Sequence, residues 1–247
     1  MSIDEKIVEG KYVFLKDGNQ YSEETFTILM DTAPNGNYMY KSEILCRVTS
    51  GEFLKINVDF ETSNSFDPFN VKVFRSLGEN SSTERYEVNL KDKQVYYTFS
   101  GMDGVHKFDR NVSGKFHIST PAFVTSTLMT KMKKMNAAHV TSYNVLSTQN
   151  IWTYEKQFVE NDVFLELKSL GGVEIKLNDK DLHATHCQMS EDAYNNPEKS
   201  APADFYLSKY LNIPYKAEFP GNLEVKIDKL KAFENEYKNM FKSWLLL

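Results

Sequence analysis

Residues 38–60, YMYKSEILCRVTSGEFLKINVDF, contain the pattern that decides the fold. Apolar or aromatic side chains alternate with polar ones from Tyr38 to Val48, and again from Phe53 to Phe60. In a β-strand such alternation puts one set of side chains on each face, so both runs are predicted strands. The polar residues 49–52 between them are typical of a turn.

The same alternation recurs along most of the chain. Before residue 38 it covers residues 11–15 and 24–30, and after residue 60 it covers 70–74, 84–90 and 94–99. It resumes in the second half at residues 140–146, 150–158, 162–170, 173–177, 182–189, 205–211, 213–219 and 222–227. The Gly171-Gly172 pair predicts a hairpin turn between two of these strands. We therefore expect a mainly β protein, with a long antiparallel meander that forms a strongly curved sheet or barrel.

Two segments have helical spacing instead. Thr120 and Pro121 favour a helix start, and the predicted helix covers about residues 121–139. Its apolar face comprises Val124, Leu128, Met132, Met135 and His139. A second predicted helix, at about 229–244, has a stripe formed by Leu230, Phe233, Tyr237, Phe241 and Trp244. The apolar tail Trp244–Leu247 favours docking onto the sheet or onto a second subunit, and the latter would give a homodimer through the C-terminal helix. Transient membrane contact is the alternative.

The chain has 247 residues, enough for one large domain, and we expect a single domain over 1–247. A two-lobed arrangement, 1–118 and 119–247, is the alternative. The net charge is −5, so the chain lacks the basic surface of a nucleic-acid binder. Two cysteines exclude a disulfide scaffold and a four-thiolate metal site.

No apolar run approaches the roughly 18 residues that a membrane-spanning helix needs. Asp4, Glu5 and Lys6 occupy the positions where a signal peptide would have its apolar core. We therefore expect a cytoplasmic protein without stable membrane insertion. A periplasmic location is the alternative if a leader has been removed.

The chemistry-bearing residues form no recognised motif. A phosphate-binding loop and a dinucleotide fingerprint are both missing from the sequence, and no cofactor is expected. His183 and His186 are three residues apart, which places them on opposite faces of a regular strand, so no metal site is predicted. His139 and His186 are the candidate catalytic acid–base residues.

Aromatic residues carry the clearest functional signal. The predicted ligand-binding residues lie on strands or on the first helix: Tyr38, Tyr40, Phe60, Tyr97, Phe99, Met132, Met135, Trp152 and Tyr154. A curved sheet fills its concave face either with its own side chains or with a ligand, and tyrosine hydroxyls can orient a ligand there. Both interpretations, an ordinary aromatic core and a lined cavity, remain open at this point.

Three functions are compatible with this pattern. The favoured one is binding of a hydrophobic small molecule or lipid in an aromatic-lined concave cavity. The alternative is a cofactor-independent isomerase, cyclase or hydrolase that acts on an apolar substrate in the same cavity. A structural or interaction protein with a filled interior is the third.

Part of the second half resembles a known family. Residues 119–123 (STPAF) with the following helix, the strands around Trp152 and Tyr154, and residues 203–219 (ADFYLSKYLNIPYKAEF) resemble bacterial lipoprotein-carrier-like half-barrels and their relatives. The resemblance covers about residues 115–227. It implies an antiparallel sheet wrapped around a helix, with an apolar interior for lipid or lipoprotein, and it transfers no catalytic residue. Unlike those proteins, this sequence shows neither a leader peptide nor an acylated N-terminal cysteine. Calycin-like barrels, including lipocalin-like ones, would have a similar pattern.

Overall fold

The structure is a computed structural model that describes residues 4–32, 36–112, 114–134, 140–147, 152–154, 163–191, 201–209 and 211–233. These residues contain fifteen strands. The first eight are β1 (Asp4–Lys16), β2 (Asn19–Asp31), β3 (Tyr38–Arg47), β4 (Phe53–Thr62), β5 (Pro68–Leu77), β6 (Asn80–Asn89), β7 (Gln94–Gly101) and β8 (Gly104–Asn111). The other seven are β9 (Phe116–Ser119), β10 (Thr141–Ser147), β11 (Val163–Leu177), β12 (Lys180–Glu191), β13 (Ala203–Ser208), β14 (Pro214–Phe219) and β15 (Leu223–Ala232).

All fifteen described strands belong to one curved, unclosed sheet. Its order is β8-β7-β6-β5-β4-β3-β2-β1-β15-β14-β13-β12-β11-β10-β9. Neighbours are antiparallel except β9 and β10, which are parallel. The first and last strands pair in the middle of the sheet, while the two edge strands, β8 and β9, are consecutive in the chain. The prediction of a mainly β, curved antiparallel sheet is confirmed.

Inward-pointing side chains of the first eight strands line up in three rows across the sheet. The first row is Val8, Ile28, Tyr40, Phe60, Val71, Tyr86, Tyr97 and Phe108. The second row is Gly10, Phe26, Ser42, Val58, Val73, Glu84, Phe99 and His106. The third row is Tyr12, Glu24, Ile44, Ile56, Arg75 and Ser82. Nearly all these side chains are buried, and we call this face of the sheet the inner face.

The sequence chemistry of the turns fixes two of the hairpins. Asp17 and Gly18, between β1 and β2, have φ values of 49° and 79°. Asn178 and Asp179, between β11 and β12, have φ values of 48° and 61°. Two-residue hairpin turns with positive φ at both positions match the right-handed twist of the strands, and Asn, Asp and Gly adopt that conformation most easily.

The predicted hairpin turn at Gly171-Gly172 is wrong, because β11 continues through both glycines to Leu177. Gly171 has a φ of 102°, and the pairing with β12 shifts between Ser169 and Gly171. Glycine here permits a β-bulge, which accommodates an extra residue without ending the strand. The chain turns seven residues later than the sequence pattern predicted, at Asn178 and Asp179.

The first predicted helix is much shorter than residues 121–139. A 3-10 turn covers Phe123–Thr125, a four-residue helix α1 covers Met129–Met132, and Lys133 is already extended. Hydroxyl groups of Thr125 and Thr130 donate to backbone carbonyls three residues earlier, at 3.0 and 2.7 Å. Such side-chain bonds compete with regular α-helical bonding. Residues 135–139 lie outside the described residues.

The second predicted helix, 229–244, is wrong where the structure describes it. Strand β15 continues to Ala232, with Leu230 and Ala232 buried and Lys229 and Lys231 exposed between them. Pairing with β1 imposes this period of two and overrides the local helical spacing. Residues 234–247, including the Trp244–Leu247 tail, lie outside the described residues. In the described part of the chain, no helix is long and apolar enough to cross a membrane.

Gly10 allows two strands and an aromatic ring to approach closely. A Cβ atom at this position would lie 2.4 Å from Phe26 Cζ and 2.8 Å from the Lys229 carbonyl oxygen. We therefore expect Gly10→Ala to lower the free energy of unfolding by about 1–3 kcal/mol in urea denaturation, because an overpacked core must shift. Gly172→Ala is the matched control, since a Cβ there meets nothing within 4 Å. Equal destabilisation by the two substitutions would contradict this account.

Candidate binding site

Residues 152–154 cross the end of the β7–β8 hairpin. The Trp152 carbonyl oxygen accepts a hydrogen bond from the Met102 N–H at 3.0 Å, and the Tyr154 N–H donates to Asp103 Oδ2 at 3.0 Å. The Tyr154 ring stacks on His106, with centroids 4.7 Å apart and planes 12° apart. The Tyr154 N–H holds the pKa of Asp103 below its usual range. Backbone and ring contacts thus attach this segment to the sheet.

Gly101, the last residue of β7, makes this crossing possible. A Cβ atom there would lie 2.5 Å from the Trp152 carbonyl oxygen and 2.6 Å from the Phe99 ring. Any larger residue would displace either the crossing segment or the buried ring. A glycine at the end of a strand is therefore a requirement of the local packing.

The crossing segment completes a group of rings at one end of the inner face. Tyr154 lies 6.3 Å from Tyr97 and 6.2 Å from Phe99 between ring centroids. We call Tyr97, Phe99, His106 and Tyr154 the aromatic end. Tyr97 and Phe99 are buried, whereas His106 and Tyr154 are half-buried. A binding surface at this end would therefore combine the buried rings of Tyr97 and Phe99 with the partly exposed rings of His106 and Tyr154.

An ion pair is buried beside the aromatic end. Arg75 Nη1 lies 2.6 Å from Glu84 Oε2, and the side chains are 4% and 0% exposed. The Tyr97 hydroxyl donates to the other carboxylate oxygen, Glu84 Oε1, at 2.9 Å. Burial raises the pKa of Glu84, while the positive charge of Arg75 opposes that rise. Both oxygens of the carboxylate therefore already have donors.

Two buried hydroxyl groups next to this pair have no such partner. Ser82 is directly opposite Arg75 in the sheet, and the Tyr86 ring lies 4.7 Å from the Tyr97 ring. Neither the Ser82 nor the Tyr86 hydroxyl has a hydrogen-bond partner among the described residues. Burial and the nearby Glu84 raise the pKa of Tyr86, so its phenol remains a donor. We call Arg75, Ser82, Glu84 and Tyr86 the polar cluster.

A second buried carboxylate, Glu24, has a structural role. It accepts hydrogen bonds from the Ser42 hydroxyl at 2.8 Å, the Phe123 N–H at 2.7 Å and the Val124 N–H at 3.3 Å. Burial raises the pKa of Glu24 to about 7, although these donors act in the opposite direction. Glu24 thereby attaches the 3-10 turn to the inner face.

The structure groups some of the predicted ligand-binding residues and separates others. Tyr97, Phe99, Trp152 and Tyr154 lie together at or beside the aromatic end, while Tyr40 and Phe60 are cross-strand neighbours in the middle of the first row. Their roles stay predictions.

The remaining predicted ligand-binding residues lie apart from that group. Tyr38 stacks on Phe66 with centroids 5.1 Å apart, and Met132 is buried in α1. Met135 is outside the described residues. The role predicted for each of these side chains stays untested.

His186, a predicted catalytic residue, pairs with a carboxylate. Its Nε2 lies 2.7 Å from Asp204 Oδ1, and its ring stacks on Tyr206 at 4.7 Å. The adjacent Cys187 is buried, which raises the pKa of its thiol to about 12 and leaves it protonated near neutrality. A carboxylate-oriented imidazole can move a proton, and a catalytic role for His186 stays a prediction. The other candidate, His139, lies outside the described residues.

A groove of about 1160 Å³ runs across β15, β1, β2, β3 and β4. Its lining includes many charged side chains, among them Glu9, Lys11, Lys41, Glu43, Asp59 and Lys231. None of the described residues predicted to bind a ligand lines it. The groove is therefore separate from the aromatic cavity that the sequence predicted.

The polar cluster was missed by reasoning from the sequence, although a signal for it exists. Along β5, Val71 and Val73 point inward, and Arg75, two residues later, lies on the same face of the strand. Along β6, Glu84 has the same phase as buried Tyr86. A charge at an inward position of an alternating strand is expensive unless paired, so two such positions on neighbouring strands indicate a buried ion pair.

Comparison with known proteins supports the fold. No protein-family model and no curated sequence matches the chain. Among solved structures, it is similar to a beta-barrel-like protein of domain of unknown function DUF1849 from Brucella abortus, with a TM-score of 0.59 and 8% identity over 94% of this chain and 100% of that one. It is also similar to a DUF1089 family protein from Pseudomonas aeruginosa, with a TM-score of 0.51 and 10% identity over 83% and 91%. The barrel-like, curved-sheet part of the resemblance is thus supported, and these likenesses concern the fold alone.

Proposed function

We propose that the protein binds a hydrophobic small molecule or lipid on the inner face of the sheet, at the aromatic end. The rings of Tyr97, Phe99 and Tyr154 would contact the apolar body of the ligand. The polar cluster would contact its polar group. Rings supply contact area at small conformational cost, and a few fixed polar groups orient a ligand.

The observation that carries this proposal is the pair of buried hydroxyls, Ser82 and Tyr86, without partners among the described residues. A buried hydroxyl without a hydrogen bond costs about 1–3 kcal/mol, so folded proteins rarely retain one without a reason. A ligand group beside either hydroxyl would supply the bond that it lacks. The Tyr86 ring lies 4.7 Å from the Tyr97 ring, and this location supports a ligand with an apolar body.

Organic extraction of the purified protein, followed by mass spectrometry, tests the proposal. We expect an apolar compound in near-stoichiometric amount, and displacement of a neutral solvatochromic dye such as Nile red when that compound is added back. A clean extract together with no binding of the dye would overturn the proposal. The enzyme alternative predicts instead that the compound is converted during incubation.

Tyr86→Phe separates ligand recognition from protein stability. We expect about tenfold weaker binding of the extracted compound, because one hydrogen bond to the ligand is lost. Urea denaturation should show an unchanged or slightly higher free energy of unfolding, since the substitution removes an unpartnered hydroxyl. Calorimetry or dye displacement measures the affinity.

Tyr12→Phe is the matched control. The Tyr12 hydroxyl is also buried without a partner among the described residues, but its ring packs against Phe26 and Phe123, away from the aromatic end. Its removal should leave the affinity unchanged. Equal affinity losses in both variants would show that the effect is not local to the polar cluster.

A further inference from the structure

The charge balance of the inner face bears on the kind of polar group that a ligand carries. Arg75 is the only buried lysine or arginine in the part of the chain that the structure describes. Its charge is matched by Glu84 at 2.6 Å. His117 is also buried, and burial lowers its pKa to about 4, so it is neutral near pH 7. Among the inward-pointing residues of the first eight strands, no lysine or arginine therefore lacks a counter-charge.

Geometry at the polar cluster supports the same conclusion. Both carboxylate oxygens of Glu84 already accept bonds, one from Arg75 and one from Tyr97. The groups without partners are the uncharged hydroxyls of Ser82 and Tyr86. A ligand group that bonds to either hydroxyl would also lie close to the Glu84 carboxylate, because Ser82 and Tyr86 flank Glu84 on the inner face of β6.

A ligand carboxylate or phosphate would lose its hydration here without gaining an unpaired cation. Burying a charge without a counter-charge is unfavourable, and the adjacent Glu84 carboxylate would repel it. A hydroxyl or carbonyl group loses much less hydration, and one hydrogen bond from the Tyr86 phenol can replace a hydrogen bond that it made to water. Polar recognition at this site therefore favours uncharged groups.

We infer that the ligand carries an uncharged hydrogen-bonding group, a hydroxyl or a carbonyl, placed at Tyr86. This inference rests on the proposed function and specifies its ligand class. Long-chain alcohols, esters and ketones belong to that class. Fatty acids in their ionised form do not.

Three ten-carbon probes test the inference: 1-decanol, methyl decanoate and decanoate, each added to displace Nile red at about pH 8, where the carboxylic acid is ionised. We expect at least one neutral probe to bind at least tenfold more tightly than decanoate. Decanoate binding as tightly as both neutral probes, or more tightly, would overturn the inference and leave the proposed function standing. Displacement by none of the probes, together with a clean organic extract, would overturn both.

The Glu84→Gln variant provides a second, independent test of the inference. Loss of the carboxylate charge leaves Arg75 without its counter-charge, so decanoate should bind at least tenfold more tightly than it binds the wild type. The control is the double variant Arg75→Met with Glu84→Gln, which has neither charge and should show no such gain. A folded Glu84→Gln variant with unchanged decanoate affinity would contradict the inference. If Glu84→Gln does not fold, the double variant and the three probes still test the inference. The double variant is expected to bind the neutral probes more tightly than decanoate.

Discussion

Arg75→Met is expected to lower the free energy of unfolding by about 3–5 kcal/mol, because it leaves the Glu84 carboxylate buried without its counter-charge. The Glu84 side chain is 0% exposed, so water cannot replace the lost partner. The Tyr97 hydroxyl would remain as a donor, but one neutral hydrogen bond does not compensate for a buried charge. Urea denaturation at about neutral pH, with the wild-type protein alongside, measures the effect.

The double variant Arg75→Met with Glu84→Gln separates the ion pair from simple packing. Replacing both members of a buried pair by uncharged side chains of similar volume is often nearly neutral. We therefore expect the double variant to be more stable than Arg75→Met by at least about 2 kcal/mol. A double variant that is less stable than Arg75→Met would show that the loss comes from packing around Arg75 and not from an uncompensated charge.

Most of the fold could be predicted because alternation is a local property. Each pleated strand with one buried face needs apolar side chains at every second position, so residues 38–48 and 53–60 reveal their strands without reference to the rest of the chain. Strand order is not local in this sense. The pairing of β1 with β15 and the parallel pairing of β9 with β10 depend on contacts between distant segments.

The errors in the prediction have the same origin. Residues 121–139 and 229–244 have apolar side chains at helical spacing, and that pattern is also compatible with a tightly wound turn or a bulged strand. Threonine hydroxyl bonds limit the helix in the first segment. In the second segment, pairing with β1 keeps the residues up to Ala232 in a strand. Local side-chain bonds act in the first case and strand pairing in the second, and the spacing of apolar residues records neither of them.

The candidate site was partly predictable for a related reason. Aromatic residues on strands, such as Tyr97 and Phe99, stand out in the sequence. The grouping of these rings with Tyr154 follows from the crossing of residues 152–154 over β7 and β8, which is a long-range event. Arg75 and Glu84 were overlooked because charged residues in strands usually face solvent.

Glu24 should make the stability of the protein depend on pH in an unusual direction. Its pKa is raised from 4.5 to about 7 in the fold, since the carboxyl group is fully buried. Between these two values the folded state holds a proton that the unfolded state has released. The contribution of Glu24 to stability is therefore fully present below about pH 4.5 and is lost as the pH rises through about 7.

The size of this effect follows from the shift. A difference from 4.5 to about 7 corresponds to about 3 kcal/mol, because one pKa unit equals about 1.4 kcal/mol. We expect the free energy of unfolding of the wild type, minus that of Glu24→Gln, to fall by about 3 kcal/mol between about pH 4.5 and 7.5. Urea denaturation across that range measures both proteins, and the subtraction removes the contributions of other titrating groups.

Glu23→Gln is the matched control, since the neighbouring residue lies on the other face of β2. Glu23 pairs with Lys11 at 2.8 Å, and its hydrogen bond to Lys11 lowers its pKa. Its contribution therefore has the opposite sign: it is present above its unfolded pKa and is lost as the pH falls. The opposite outcome would be a free-energy difference between wild type and Glu24→Gln that rises with pH, as expected for Glu23. Glu24 would then be ionised in the folded protein over the whole pH range. The donors Ser42, Phe123 and Val124 would then outweigh its burial.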